Sequence, residues 1–140
     1  MRSRRTRFAL FVMDLSVAVA AIVGGATIAL GLDSFPREWL ASSPFSDYVL
    51  PGLLLAVAVG GCAAVAAIAT ARDPRLGAMI SVLAGLVLAG WIAGEVVLLN
   101  QNSAATSPRS PVEAIFLLLG LAMVVLGAIL WGRSRREPAA

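Results

Sequence analysis

Polar residues break the chain into four long apolar stretches, at about 8–31, 49–71, 75–99 and 112–131. A membrane-spanning helix needs about 20 predominantly apolar residues, and each stretch reaches that length. The pattern predicts an all-α, four-transmembrane-helix bundle forming a single membrane domain over 1–140. The first stretch follows a basic start, as a signal peptide would. It is too long for a signal h-region of about 7–15 residues, so it reads as an uncleaved helix.

Within each stretch the small residues fall on one face. From Asp14 a helical step meets Ala18, Ala21 and Gly25. The second stretch carries Gly52, Ala56, Gly60, Ala63 and Ala67, with Gly60-Gly61 offering a close approach and Cys62 reading as a buried small apolar residue. The third aligns Gly77, Ser81, Ala84, Leu88, Trp91 and Glu95, with Gly90-xxx-Gly94 as a second packing signal beside them. Small residues let helix backbones approach in lipid, so these faces are expected to turn inward and to carry Asp14 and Glu95 with them.

The connections have their own signals. Arg72-Asp73-Pro74-Arg75 is a tight turn, with Asp73 suited to cap the third helix and Pro74 to its first position. So short a loop makes helices 2 and 3 antiparallel neighbours. The segment 32–48 interleaves Asp33, Arg37, Glu38 and Asp47 with Phe35, Trp39, Phe45 and Tyr48. It predicts an outer loop with a short interfacial helix near 36–41, and Asp47 as a cap for helix 2. Ser110-Pro111-Val112-Glu113 has capping-box spacing ahead of helix 4.

Composition agrees with the pattern. Of 140 residues 59% are hydrophobic, against roughly 45–50% for a soluble domain. The chain carries a net charge of +3, but its Arg residues sit at helix ends, so topology rather than nucleic acid accounts for them. The amino terminus, the Arg72–Arg75 turn and the carboxy tail hold nine of eleven Arg, which by the positive-inside rule places both termini in the cytoplasm. The expected location is the inner (plasma) membrane. With one Cys and no His, neither a disulfide framework nor a zinc or haem site is expected, and no cofactor.

The candidate chemistry reduces to two intramembrane carboxylates. Glu95 lies about five residues from the outer end of helix 3, with Trp91 one turn below and Tyr48, Asp47, Asn100 and Gln101 as candidate neighbours. It reads either as a site for a proton, cation or polar headgroup, or as a structural residue that pairs with Arg37 or loop N–H groups. Asp14 reads more readily as structural, favouring the helix dipole or pairing with a nearby Arg. The two are on the order of 15–20 Å apart along the membrane normal, too far to share a proton or metal. No nucleophile–base arrangement is visible, and enzyme activity is not expected.

The runs Ser43-Pro44-Phe45-Ser46-Asp47-Tyr48-Val49-Leu50-Pro51-Gly52 and Gly90-Trp91-Ile92-Ala93-Gly94-Glu95 resemble those of small bacterial four-helix integral membrane proteins, which share an SPFxDxxxPG run before helix 2 and a WIxxE run in helix 3. The resemblance covers roughly 24–100. It implies the four-helix topology and a joint role for Pro44, Phe45, Asp47, Pro51, Gly52, Trp91 and Glu95, and no activity. The expected function is a non-enzymatic accessory or structural subunit of a membrane complex or homo-oligomer. The alternative is a small transporter or a lipid- or ligand-binding protein using Glu95 in an outer-leaflet pocket. Membrane lipids, and a membrane-protein partner or second copy, are the expected partners.

Overall fold

The computed structural model describes residues 2–32, 40, 44–100 and 111–136. It is all-helical among these residues, and four helices are long and apolar enough to cross a membrane. They are α1 (Arg2–Ala29), α2 (Val49–Arg72), α3 (Pro74–Asn100) and α4 (Pro111–Ser134). The expected interfacial helix at 36–41 and the capping residue Ser110 lie outside the described residues.

Local chemistry sets most of the ends. α1 begins at Arg2, earlier than the apolar pattern at 8 suggests, because arginines are good helix formers and extend the helix past its apolar stretch. It stops at Gly31, whose φ of +68° is a left-handed conformation that glycine adopts without strain. There Leu32 N–H donates to Thr27 O and Gly31 N–H to Ile28 O, a Schellman closure of the last turn. Asp47 is not the cap of α2 that the sequence suggested: the N-cap position is Tyr48, which makes no side-chain capping bond, and Asp47, one residue earlier, accepts from Val49 N–H at 3.1 Å through Oδ1. Asp73 Oδ1 accepts from Arg75 N–H at 2.8 Å and from Leu76 N–H at 3.4 Å, with Pro74 in the first position of α3. Asp73→Ala is expected to lower stability by about 1 kcal/mol, read as an earlier reversible unfolding midpoint in bicelles, with Asp73→Asn largely neutral. An unchanged midpoint for the alanine variant would show that the turn holds without its cap.

α2 is not uniform. Val49–Leu54 and Gly61–Arg72 are α-helical, but Leu55–Gly60 forms a π-helical turn. Gly52, Ala56 and Gly60, before and within this turn, all lie on the face that α1 covers. Nothing in the hydrophobic pattern announces this turn.

The register follows from the close approaches. A Cβ on Gly25 would meet Ala56 N at 2.6 Å and Gly52 O still closer, while one on Gly52 would meet Gly25 O at 2.6 Å. A Cβ on Gly60 would meet Ile22 Cγ1 at 2.6 Å. Further along, Arg7 at the start of α1 reaches the end of α2. α1 and α2 are therefore antiparallel. α2 and α3 form the expected hairpin. α3 and α4 cross antiparallel through Gly85, Gly120 and Gly127: a Cβ on Gly85 would meet Gly120 O at 2.6 Å, and one on Gly127 would meet Ala78 O at 2.9 Å. α4 also touches α1, which closes a four-cornered bundle. This order brings the starts of α1 and α3 and the ends of α2 and α4 to one end, so the three Arg clusters share a face.

The core is largely alanine: Ala18, Ala21, Ala63, Ala66, Ala67, Ala78 and Ala84 are buried, with Leu10, Val17, Val59, Leu88, Met123 and Leu130 filling the remainder. Cys62 is half-buried against this core. The large apolar side chains mostly face outward, including Phe8, Val57, Leu83 and Leu118. That inverts a soluble protein and suits helices whose outer faces meet hydrocarbon while small residues bring backbones together.

Candidate functional site

The polar centre of the bundle is Asp14, not Glu95. Asp14 sits on the small-residue face of α1 with Val17, Ala18, Ala21 and Gly25, all buried, and is itself 0% exposed. Two other helices bring hydroxyls to it. Ser81 Oγ, two turns into α3, donates to Asp14 Oδ2 at 2.6 Å. Thr70 Oγ1, in the last turns of α2, lies 3.4 Å from the same oxygen and 3.4 Å from Ser81 Oγ. The first contact is short enough for a strong charge-assisted bond; the other two lie beyond the usual 2.5–3.0 Å range and are weak. Asp14 Oδ1 is buried without a hydrogen-bond partner among the described residues.

Gly77 makes this convergence geometrically feasible. A Cβ there would meet Thr70 N at 2.5 Å and Thr70 Oγ1 at 2.6 Å, and would overlap Thr70 Cα. Only with hydrogen at that position can the α3 backbone lie against Thr70 while Ser81, one turn on, reaches Asp14.

Arg7 closes the site at the basic end. Its Nε donates to Thr70 O at 2.8 Å and its Nη2 to Ala71 O at 2.6 Å, while Asp73 N–H takes Ala69 O. These are carbonyls that a helix C-terminus leaves without intrahelical donors, and a cation there also complements the helix dipole. The sequence suggested that Asp14 favours the α1 dipole or pairs with a nearby Arg. Neither describes it: α1 begins at Arg2, so Asp14 lies beyond the first turn, and its described partners are hydroxyls while Arg7 serves α2.

At the other end, Trp91 Nε1 donates to Glu95 Oε1 at 2.8 Å, one turn along α3, and both residues are half-buried. Ser81 to Glu95 is fourteen residues, about 21 Å of helix at 1.5 Å per residue, so the two carboxylates serve separate ends of the bundle. Of the residues expected around Glu95, Trp91 is beside it. Asp47 is exposed and engaged with the start of α2, and Tyr48 is half-buried at the α2 start. Gln101 and the proposed partner Arg37 lie outside the described residues, and Asn100 is described only as the last residue of α3. Gly90 and Gly94 do not pack inside the bundle. Both are exposed, and a Cβ on either would meet no described atom within 4 Å, because this face of α3 turns away from both α2 and α4.

The sequence named Asp14 and Ser81 as inward-facing. It gave Thr70 no role and read Arg7 only as a topology signal. A polar Thr70 in an otherwise apolar helix was the one available clue. No group of three or more metal-ligating side chains occurs among the described residues. No protein-family model matches the chain, and neither a curated protein nor a solved structure matches it significantly.

Proposed function

We propose that the chain is a small multi-pass protein of a bacterial inner membrane, with both termini cytoplasmic, acting as a non-enzymatic accessory or structural subunit in a complex or homo-oligomer. The sharing of one face by the three Arg clusters supports the orientation, since basic residues favour the cytoplasmic side. The observation that carries the functional reading is the outward-facing surface of Gly90, Ala93 and Gly94 on α3. A small-xxx-small pair lets a second helix approach closely, and here none of the described helices of the same chain occupies it.

The test is native mass spectrometry after gentle extraction from the protein's own membrane, comparing the parent chain with Gly90→Leu/Gly94→Leu. Both positions have open space, so the double variant is expected to fold as the parent does but to lose its partner or second copy. An assembly unchanged by the double variant, or a parent chain that is monomeric, would defeat this reading.

A second reading rests on the half-buried Trp91–Glu95 pair at the end opposite the arginines: a transporter or lipid- or ligand-binding protein using Glu95. Glu95→Gln keeps an oxygen to accept from Trp91 and removes the charge. On the accessory reading it leaves assembly and the unfolding midpoint within error. On the second it abolishes pH-dependent retention of a co-purifying small molecule or lipid.

A further inference from the structure

We propose that Asp14 is a reversible proton-binding site at the junction of α1, α2 and α3, with Ser81 as the group through which its proton is held. The inference is independent of the accessory reading.

The geometry satisfies neither protonation state fully. With Asp14 ionised, Ser81 and Thr70 both donate to Oδ2, but Oδ1 holds a share of the charge while buried with no donor among the described residues. Leaving part of a carboxylate undonated in a low-dielectric interior is costly. With a proton on Oδ2, the short Ser81 bond reverses: the acid O–H donates to Ser81 Oγ, and the Ser81 hydrogen turns to Thr70 Oγ1, 3.4 Å away. Oδ1 is then a neutral carbonyl oxygen, which is far cheaper to leave without a donor. One proton is taken up, none is lost elsewhere, and hydroxyl rotations alone accommodate it. A purely structural buried carboxylate would be expected to have both oxygens satisfied.

A proton suits the site better than a metal cation. The hydroxyls already act as donors towards Oδ2, and the carbonyls of Thr70 and Ala71, which a cation would otherwise recruit, are taken by Arg7. The Arg7 guanidinium also sets a positive charge at the mouth of the site. The other charged side chains described at this end of the packed helices are Arg4 and Arg5 on α1, Arg72 on α2, Asp73 and Arg75 at the start of α3, and Arg133, Arg135 and Arg136 at the end of α4. All are exposed, so solvent screens them. The site lies close to the Arg-rich end, the short way to water, and protonation weakens the tie that draws α2 and α3 onto α1.

The test is pH-dependent infrared difference spectroscopy of the full chain in lipid nanodiscs. The C=O stretch of a protonated carboxylic acid is expected to appear and vanish reversibly with pH in the parent, to be absent from Asp14→Asn and to persist in Glu95→Gln. In Ser81→Ala, which keeps the acid, the same band is expected to shift in frequency and in midpoint, because the bond that holds the proton is gone. This last variant also decides the matter should Asp14→Asn fail to fold. A band lost in Glu95→Gln instead, a band indifferent to Ser81→Ala, or an Asp14 fixed in one state throughout the pH range in which the bundle stays folded would each overturn the proposal.

Discussion

Gly77→Val is expected to be the most damaging single substitution in the bundle. The added Cβ would lie on the Thr70 backbone, not at the tip of a side chain that can swing away. The one-residue connection at Asp73 prevents α2 and α3 from sliding past one another to make room. Overpacking typically costs 1–3 kcal/mol, and a backbone clash belongs at the top of that range, about 3 kcal/mol. The loss should be visible as a large fall in the reversible unfolding midpoint in bicelles. Gly24→Val is the matched control: its Cβ meets nothing within 4 Å, and replacing a helical glycine recovers backbone entropy, so stability should hold or rise slightly. Equal losses in the two variants would mean that Gly77 is not where the helices touch.

The second large effect is the coupling between Asp14 and Ser81. Interhelical hydrogen bonds in membrane proteins average about 0.6 kcal/mol, whereas bonds to charged groups in general are worth about 1.5–3 kcal/mol. The 2.6 Å contact is buried, and among the described residues Ser81 is the only close donor to a carboxylate whose other oxygen has none. Ser81→Ala is therefore expected to cost about 2 kcal/mol in the parent and much less when Asp14 is already Asn. A double-mutant cycle over the two sites should give a coupling of about 1–2 kcal/mol. Additivity within about 0.5 kcal/mol would mean that the contact contributes no more than any neutral pair.

Both effects depend on features that the sequence showed unevenly. That Asp14 faces inward was legible, because Ala18, Ala21 and Gly25 repeat on its side of α1 and a charge in an apolar helix belongs with the close-packed face. Its chemistry was not legible. Thr70 is 56 residues away and Ser81 67, and the Arg7 bonds to α2 span 63 and 64. No local spacing rule reaches so far. Gly90-xxx-Gly94 illustrates the opposite case. The pair is visible in the sequence, but the motif says only that some helix can approach, not which one. In the fold that face of α3 points outward, away from the other described helices. The π-helical turn at Leu55–Gly60 left no trace in the hydrophobic pattern.

The sequence by itself determined the number of helices, their approximate limits, the inward faces of α1, α2 and α3, and the cap at Asp73. These follow from the length of apolar runs, from the helical repeat and from single-residue capping chemistry, all of which are local. Only the tertiary structure decided that the polar centre lies at the Arg-rich end, that Arg7 closes α2 and not Asp14, and that one carboxylate oxygen has no donor among the described residues. Those outcomes depend on the register in which antiparallel helices meet. Close backbone approaches at Gly25, Gly52 and Gly77 set that register, and these arise only when two distant parts of the chain are placed side by side.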